Sequence, residues 1–435
     1  MKESKISRRE FGLVAAAAGL GAMATGGCNR AMKTQTFSEA DLRALDAALD
    51  APIQNGELPG LVALVSHGEN AHVHAAGVQD LSTRAPMRRD TIFRVASMTK
   101  LVTAAATMLL VEDGKFGLDD PIDRFLPELA NRRVLRTMDS PLDDTVLAAR
   151  PISVRDLLTC RMGLGAVLAD PTAYPLLKAM AERELAPSAV IFPHSPEEYL
   201  RRMSELPLIH QPGERWLYHT GLDVAGILVA RASGMSFGEF LTRRIFALLG
   251  MRDTGFSVPA GQIARLATAY QRGPDGKSLV VFDPAEGGKW SRPPAFESGG
   301  GGLVSTVDDY NAFGQVLLGK GEVGGVRVLK PESAAEMTKD QISTAQKTAS
   351  PFFPGFWDHQ GWGLGMAVVT QPDPVSAVPG RCGWFGGYGT TFFFDPHRNC
   401  VATLLFQRVM SGADDTRLGD DFLTRAFRAA EVHRG

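Results

Sequence analysis

In the stretch "FRVASMTKLVTAAATMLL", Ser97 and Lys100 stand three positions apart where the chain turns into an apolar run. On a helix, positions i and i+3 share a face, so the lysine amine can reach the serine hydroxyl. A serine must lose its proton to attack a carbonyl, and a desolvated lysine with a lowered pKa can accept that proton. The first turn of a helix adds a favourable dipole for the developing negative charge. The pair has a plainer reading as well, an N-cap serine followed by a lysine whose stem lies along apolar surface.

Two later stretches bear on the choice. "RWLYHTGLDVAG" puts Tyr218 in a short polar break before an apolar helix, where a phenol can hydrogen-bond the serine and shuttle its proton. "GWFGGYGTTFFFDP" puts Trp384, Phe385, Gly386 and Gly387 at the entrance to a strand. Glycine there lets a substrate approach the backbone, and a free N–H completes an oxyanion hole. Taken singly, the tyrosine also reads as a core residue and the glycines as a bulge. His219, beside Tyr218, reads as a solvent-facing or substrate-lining side chain rather than as the base of a Ser–His pair. Gly234 to Gly238 fits G-x-S-x-G, yet a helix precedes it and Ser236 with Glu239 reads as a capping box.

The elements that must position these residues follow from periodicity and punctuation. Ser38 and Asp41 open an amphipathic helix to about Ala51, and "GLVALVSHGENAHVHAAG" reads as two strands around a turn at His67 to Asn70. Residues 97–112 are hydrophobic on all sides, which implies a buried helix. Residues 131–150 read as a patternless surface loop, and residues 162–212 as mostly helix interleaved with prolines. Helices are expected at 222–233, at 239–249, from about Thr306 and at 415–431. Strands are expected at 361–369, 390–395 and 401–407, with Cys400 roughly opposite Phe394 and no disulfide to Cys382. Strands at both ends with helices between them imply one sheet assembled from distant segments, plus an inserted helical region.

In order and context, these stretches resemble the serine β-lactamase and penicillin-binding superfamily. The resemblance lies in its class C β-lactamase branch, closest to the carboxylesterases of that fold (family VIII type). It runs over roughly residues 38–430, through "DTIFRVASMTKLVTAAATMLLVEDGKFGLDDPIDRFLPEL", "ISVRDLLTCRMGL", "QPGERWLYHTGLDVAG", "SGMSFGEFLTRRIFALLGMRDTGF" and "ESGGGGLVSTVDDYNAFGQVLL" in family order. It implies an α/β (α+β) fold: an antiparallel sheet flanked by helices, with an inserted, mostly helical subdomain. The α/β part would span about 38–96 and 290–435, and the helical part about 97–289. It further implies Ser97 as nucleophile, Lys100 and Tyr218 as a shared general base, and the N–H groups of Ser97 and Gly387 as oxyanion donors. Trp384, Phe385, Gly386 and His219 are the expected substrate-side residues. Two departures stand out. The family's Tyr-x-Asn is here Tyr218-His219-Thr220, and the lysine that opens its third motif is replaced by Trp384. An indole in place of a cation removes an anchor for a β-lactam carboxylate. Phe385, Tyr388, Trp216 and "PFFPGFW" are candidate apolar walls. A carboxylic ester is therefore the favoured substrate. β-Lactams, D-amino-acid peptides (a DD-peptidase reaction) and an idle envelope binding protein are the alternatives.

Composition narrows the partners. With 46 basic and 48 acidic side chains in 435 residues the net charge is −2, and no basic stripe suggests nucleic acid. The cysteines and histidines show no metal-ligand spacing, so neither metal nor other cofactor is expected. The N-terminal "MKESKISRREFGLVAAAAGLGAMATGGC" is basic, then apolar but too short to span a membrane, which reads as an export signal over residues 1–27. Ser7 to Phe11 resembles the twin-arginine motif, implying the Tat export machinery as a partner and a periplasmic destination. Thr25 to Cys28 resembles a lipoprotein box that would lipidate Cys28 and anchor the chain to a membrane. Cleavage after Ala24 to give a soluble protein is the alternative.

Overall fold

The computed structural model describes residues 37–186 and 192–431; the export segment and Cys28 lie outside them. Ser38 caps helix α1 (Glu39–Gln54) by accepting the Asp41 N–H, and Leu42, Leu45 and Leu49 form its buried face. Strands β1 (Gly60–His67) and β2 (Asn70–Gly77) follow as a hairpin. Helices α2 (Thr99–Glu112), α3 (Thr220–Ser233) and α4 (Val307–Leu318) occupy the middle of the chain. Then come β3 (Gln360–Trp362), β4 (Ala367–Val369), β5 (Cys382–Gly386), β6 (Thr390–Asp395), β7 (Cys400–Phe406) and helix α5 (Arg417–Ala429).

The seven strands form one antiparallel sheet in the order β3-β4-β5-β6-β7-β1-β2. Non-local pairing of β1 with β7 (Val62 opposite Leu405, Ala63 opposite Leu404) joins the two ends of the chain. Side chains alternate across it. Leu61, Ala63, Val65, Phe393, Ala402 and Leu404 pack under α1 and α5. Val62, Leu64, Phe392, Phe394, Val401 and Leu405 face the helical layer that contains α2, α3 and α4. Because both faces are covered, β1, β6 and β7 are buried throughout, and β1 and β7 are mostly apolar rather than alternating with polar residues.

Helix α2 is buried from Thr99 to Leu110, as its all-round apolar character requires. Neighbouring backbone presses on it closely. A Cβ on Gly365 would lie 2.6 Å from the Lys100 carbonyl, and the φ of Gly365 is +75°, so that position needs glycine twice over.

Four expectations are corrected. The segment read as one strand over 361–369 is the β3–β4 hairpin, folded back at Gly365 with Gly363 N–H on the Met366 carbonyl. Residues 131–150 hold a small ribbon, Arg133–Leu135 paired with Thr145–Leu147, anchored by a bridge from Val134 to Leu208. In 162–212 the described helices are only Pro175–Glu182 and Pro196–Ser204; the backbone of Gly163 instead bonds Ile209 and His210 across the segment. Cys400 pairs with Asp395, one residue beyond Phe394, because the ladder runs to the end of β6. Cys160, Cys382 and Cys400 are free, buried thiols.

Candidate active site

Ser97 sits in a 3₁₀ turn, Ala96–Met98, that leads into α2. Ala96 has φ +43°, a left-handed conformation that costs a non-glycine residue on the order of 1 kcal/mol or more. Three contacts hold it: Val95 N–H on the Leu303 carbonyl, Thr390 Oγ1 on the Val95 carbonyl, and the Tyr310 hydroxyl on the Met98 carbonyl at 2.6 Å. The turn thereby puts Ser97 at the wall of a cavity of about 500 Å³.

Lys100, one turn later, is wholly buried. Its Nζ lies 3.0 Å from Ser97 Oγ and 3.1 Å from His219 Nδ1, donates to the Gly300 carbonyl, and sits 4.6 Å above the Tyr218 ring. Burial lowers its pKa to about 8, opposed by the charge of Asp223. An amine of that pKa holds an appreciable neutral fraction near neutrality, as a base for serine must.

Tyr218 comes from the break before α3. Its phenol oxygen accepts the Trp384 indole N–H at 2.6 Å, and the phenol lines the same cavity as Ser97. Burial pushes the phenol above its ordinary pKa, against the pull of Ser97 and Trp384. Trp216 stacks behind it, with ring centroids 5.6 Å apart. Trp384, Phe385 and Gly387 line the cavity beside Ser97 and Tyr218. The Gly386 carbonyl accepts the Gly389 N–H at 2.8 Å, which fixes the peptide plane that carries the Gly387 N–H at the end of β5. The remaining wall is apolar over Phe352, Phe353, Phe356, Val375, Phe393 and Leu423. A larger cavity of about 830 Å³ shares Phe352, Phe353, Gly355 and Phe356 with it but does not reach Ser97; the smaller one is lined by both Ser97 and Tyr218.

Three expected substrate-side residues lie elsewhere. Gly386 faces inward, and a Cβ there would fall 2.5 Å from the Val95 carbonyl and 2.1 Å from Thr390 Oγ1; it seats β5 against the Ser97 turn. Tyr388 is buried against Trp290 and Phe282. His219 is only 6% exposed and is absent from the cavity wall. Its Nε2 lies 3.1 Å from Asp223 Oδ2, a close polar contact without the alignment of a hydrogen bond. Ser236 caps the next helix by accepting the Glu239 N–H and is absent from the cavity wall.

The sequence reading missed Asp223. It is fully buried and accepts Ser298 Oγ at 2.5 Å and Gly300 N–H at 2.9 Å. The available signal was its i+4 spacing from His219 at the start of an apolar helix. Among the described residues, no group of His, Cys, Asp or Glu is placed to hold a metal ion.

The geometry can be set beside known proteins. The family described as Beta-lactamase matches residues 45–423. The chain belongs to the beta-lactamase family. It is a serine hydrolase of that family. It is 39% identical over 358 residues to Protein Rv1367c of Mycobacterium tuberculosis, covering 81% of this chain and 86% of that one. It is 31% identical over 392 residues to Esterase EstB of Burkholderia gladioli, covering 85% and 91%. Among solved structures, EstCE1, described as a hydrolase with promiscuous acyltransferase activity, has a TM-score of 0.71 at 25% identity, covering 90% and 100%. The beta-lactamase-family fold is thus shared along nearly the whole length.

Proposed function

We propose that the chain is an exported carboxylesterase that works through an acyl-enzyme on Ser97. Lys100 and Tyr218 take the Ser97 proton as Oγ attacks the ester carbonyl. The N–H groups of Ser97 and Gly387 hold the resulting oxyanion. Collapse breaks the C–O bond, and the alcohol leaves with the proton held by the Lys100–Tyr218 pair. Water then gives a proton to the same pair and attacks the acyl carbonyl; the acid departs and Ser97 recovers its proton.

One observation carries the choice of ester: the charge of the cavity wall. Among the described residues it has a single Lys or Arg, Arg381, already bound by Asp373, while its acids Asp420 and Asp421 are held by Thr416 and Arg425. A β-lactam brings its own carboxylate, which finds no unpaired cation on such a wall, whereas a neutral ester with an apolar acyl group meets aromatic and aliphatic surface. The similarity to EstB and EstCE1 points the same way. Turnover of a chromogenic short-chain ester beside a chromogenic cephalosporin tests the reading. The ester is the faster substrate; a cephalosporin rate well above it would reverse the assignment.

A further inference from the structure

Behind Lys100, on the side away from the cavity, lies a buried chain of groups that the mechanism above leaves unused. Lys100 Nζ meets His219 Nδ1 at 3.1 Å, and His219 Nε2 meets Asp223 Oδ2 at 3.1 Å. The other carboxylate oxygen of Asp223 is fixed by Ser298 Oγ and Gly300 N–H, while the Gly300 carbonyl accepts from Lys100. One short loop thus grips both ends of the chain.

His219 is held there at a cost. Its backbone sits at φ +89°, ψ −64°, a strained region for any residue with a side chain. Strain of this kind persists only where the surroundings impose it. The neighbouring bonds, Leu217 N–H to the Cys160 carbonyl and Ala166 N–H to the Tyr218 carbonyl, do so and turn the imidazole away from the cavity onto Lys100. Nothing in helix formation requires a histidine at that φ; glycine fits more easily.

Partners set the tautomer. The negative charge of Asp223, 3.1 Å from Nε2, favours the tautomer that carries its proton on Nε2 and leaves a lone pair on Nδ1 facing Nζ. Burial and the nearby Lys100 lower the His219 pKa, which keeps the ring neutral. An ammonium formed at Lys100 then finds acceptors in His219 Nδ1 and the Gly300 carbonyl, with the Asp223 charge behind them.

We propose that His219 and Asp223 are positioning residues that act through Lys100, stabilising the ammonium created when Ser97 gives up its proton. The proposal rests on the role of Lys100 as base in the reading above. Besides these two, the titratable groups facing Lys100 are Tyr218 and Cys160; burial pushes the Cys160 thiol up to about 12 and keeps the phenol protonated, so neither titrates near 8. Asp223→Asn removes the charge and offers Nε2 an N–H donor, which turns Nδ1 into a donor facing Nζ. Both changes disfavour the ammonium, so the pKa of Lys100 falls.

The test is the pH dependence of Ser97 labelling by a fluorophosphonate, which needs no ester. Oγ bonds to phosphorus, fluoride leaves, and the Ser97 proton passes to Lys100. In the wild type the labelling rate rises with pH as Lys100 loses its proton. Asp223→Asn and His219→Ala are expected to move that midpoint about one unit lower and to slow the plateau several-fold. His219→Asn, whose Oδ1 can stand in for Nδ1, is expected to restore the wild-type midpoint. Midpoints that coincide in folded Asp223→Asn and wild type overturn the proposal; if that variant does not fold, the His219→Ala and His219→Asn pair decides by the same criterion. Wild-type labelling without turnover of any ester counts against the ester reading alone.

Discussion

Lys100 carries the most consequential environment in the molecule. Its burial lowers the ammonium's pKa to about 8, so the neutral amine grows as pH rises through that value. We therefore expect kcat/KM for a neutral ester to climb as pH rises from 6 to 9, with its half-point near 8; a flat profile over that range would contradict a lysine base. Ser97→Ala should cut turnover by about three orders of magnitude or more, while Ser236→Ala, at a helix cap, should leave it unchanged. Ser97, Lys100 and Tyr218 could be singled out together because their order and context resemble the family's motifs; singly, each also had a plainer structural reading. The side on which His219 stands was not legible, since it depends on a backbone strain enforced by distant segments. Nor was Asp223, whose spacing from His219 is common on any helix.

At the scale of elements, β5 and the Ser97 turn form one device. Gly386 lets the strand close on the Val95 carbonyl, Trp384 reaches the Tyr218 hydroxyl, and Phe392, directly opposite Trp384, stacks edge-on against Tyr310, which ties down Met98. Trp384→Phe removes one hydrogen bond worth about 1 kcal/mol and should lower kcat about two- to tenfold with little change in melting temperature. Phe392→Ala should destabilise the fold by about 3–5 kcal/mol, read by chemical denaturation, because it empties a fully buried site. Strands β1, β6 and β7 were readable from their apolar runs. The β3–β4 hairpin was not, because "GWGLGMAVV" is apolar throughout and only the approach of α2 requires the reversal at Gly365. The ribbon at 133–147 likewise depends on Leu208, more than sixty residues away, and local pattern carries no trace of it.

For the whole molecule, pairing of β1 with β7 draws the ends of the chain together around a helical layer, so the cleft lies where distant segments meet. That long-range closure explains why strands towards both ends were enough to anticipate one sheet assembled from distant segments, while its antiparallel form came from the family resemblance and the shape of the cavity from neither. The wall at Phe352, Phe353 and Phe356 belongs to an irregular stretch that periodicity does not register. The export reading is testable at this scale: paired Arg8→Lys and Arg9→Lys substitutions should retain the protein in the cytoplasm of a bacterium with twin-arginine transport. A covalent intermediate on Ser97 is the decisive feature of the proposed reaction. Rapid acid quench of the protein during turnover of a short-chain ester, followed by intact-mass and peptide mapping, should reveal one added acyl group on Ser97. Steady turnover with the acyl group on another residue, or continued turnover by Ser97→Ala, would contradict it.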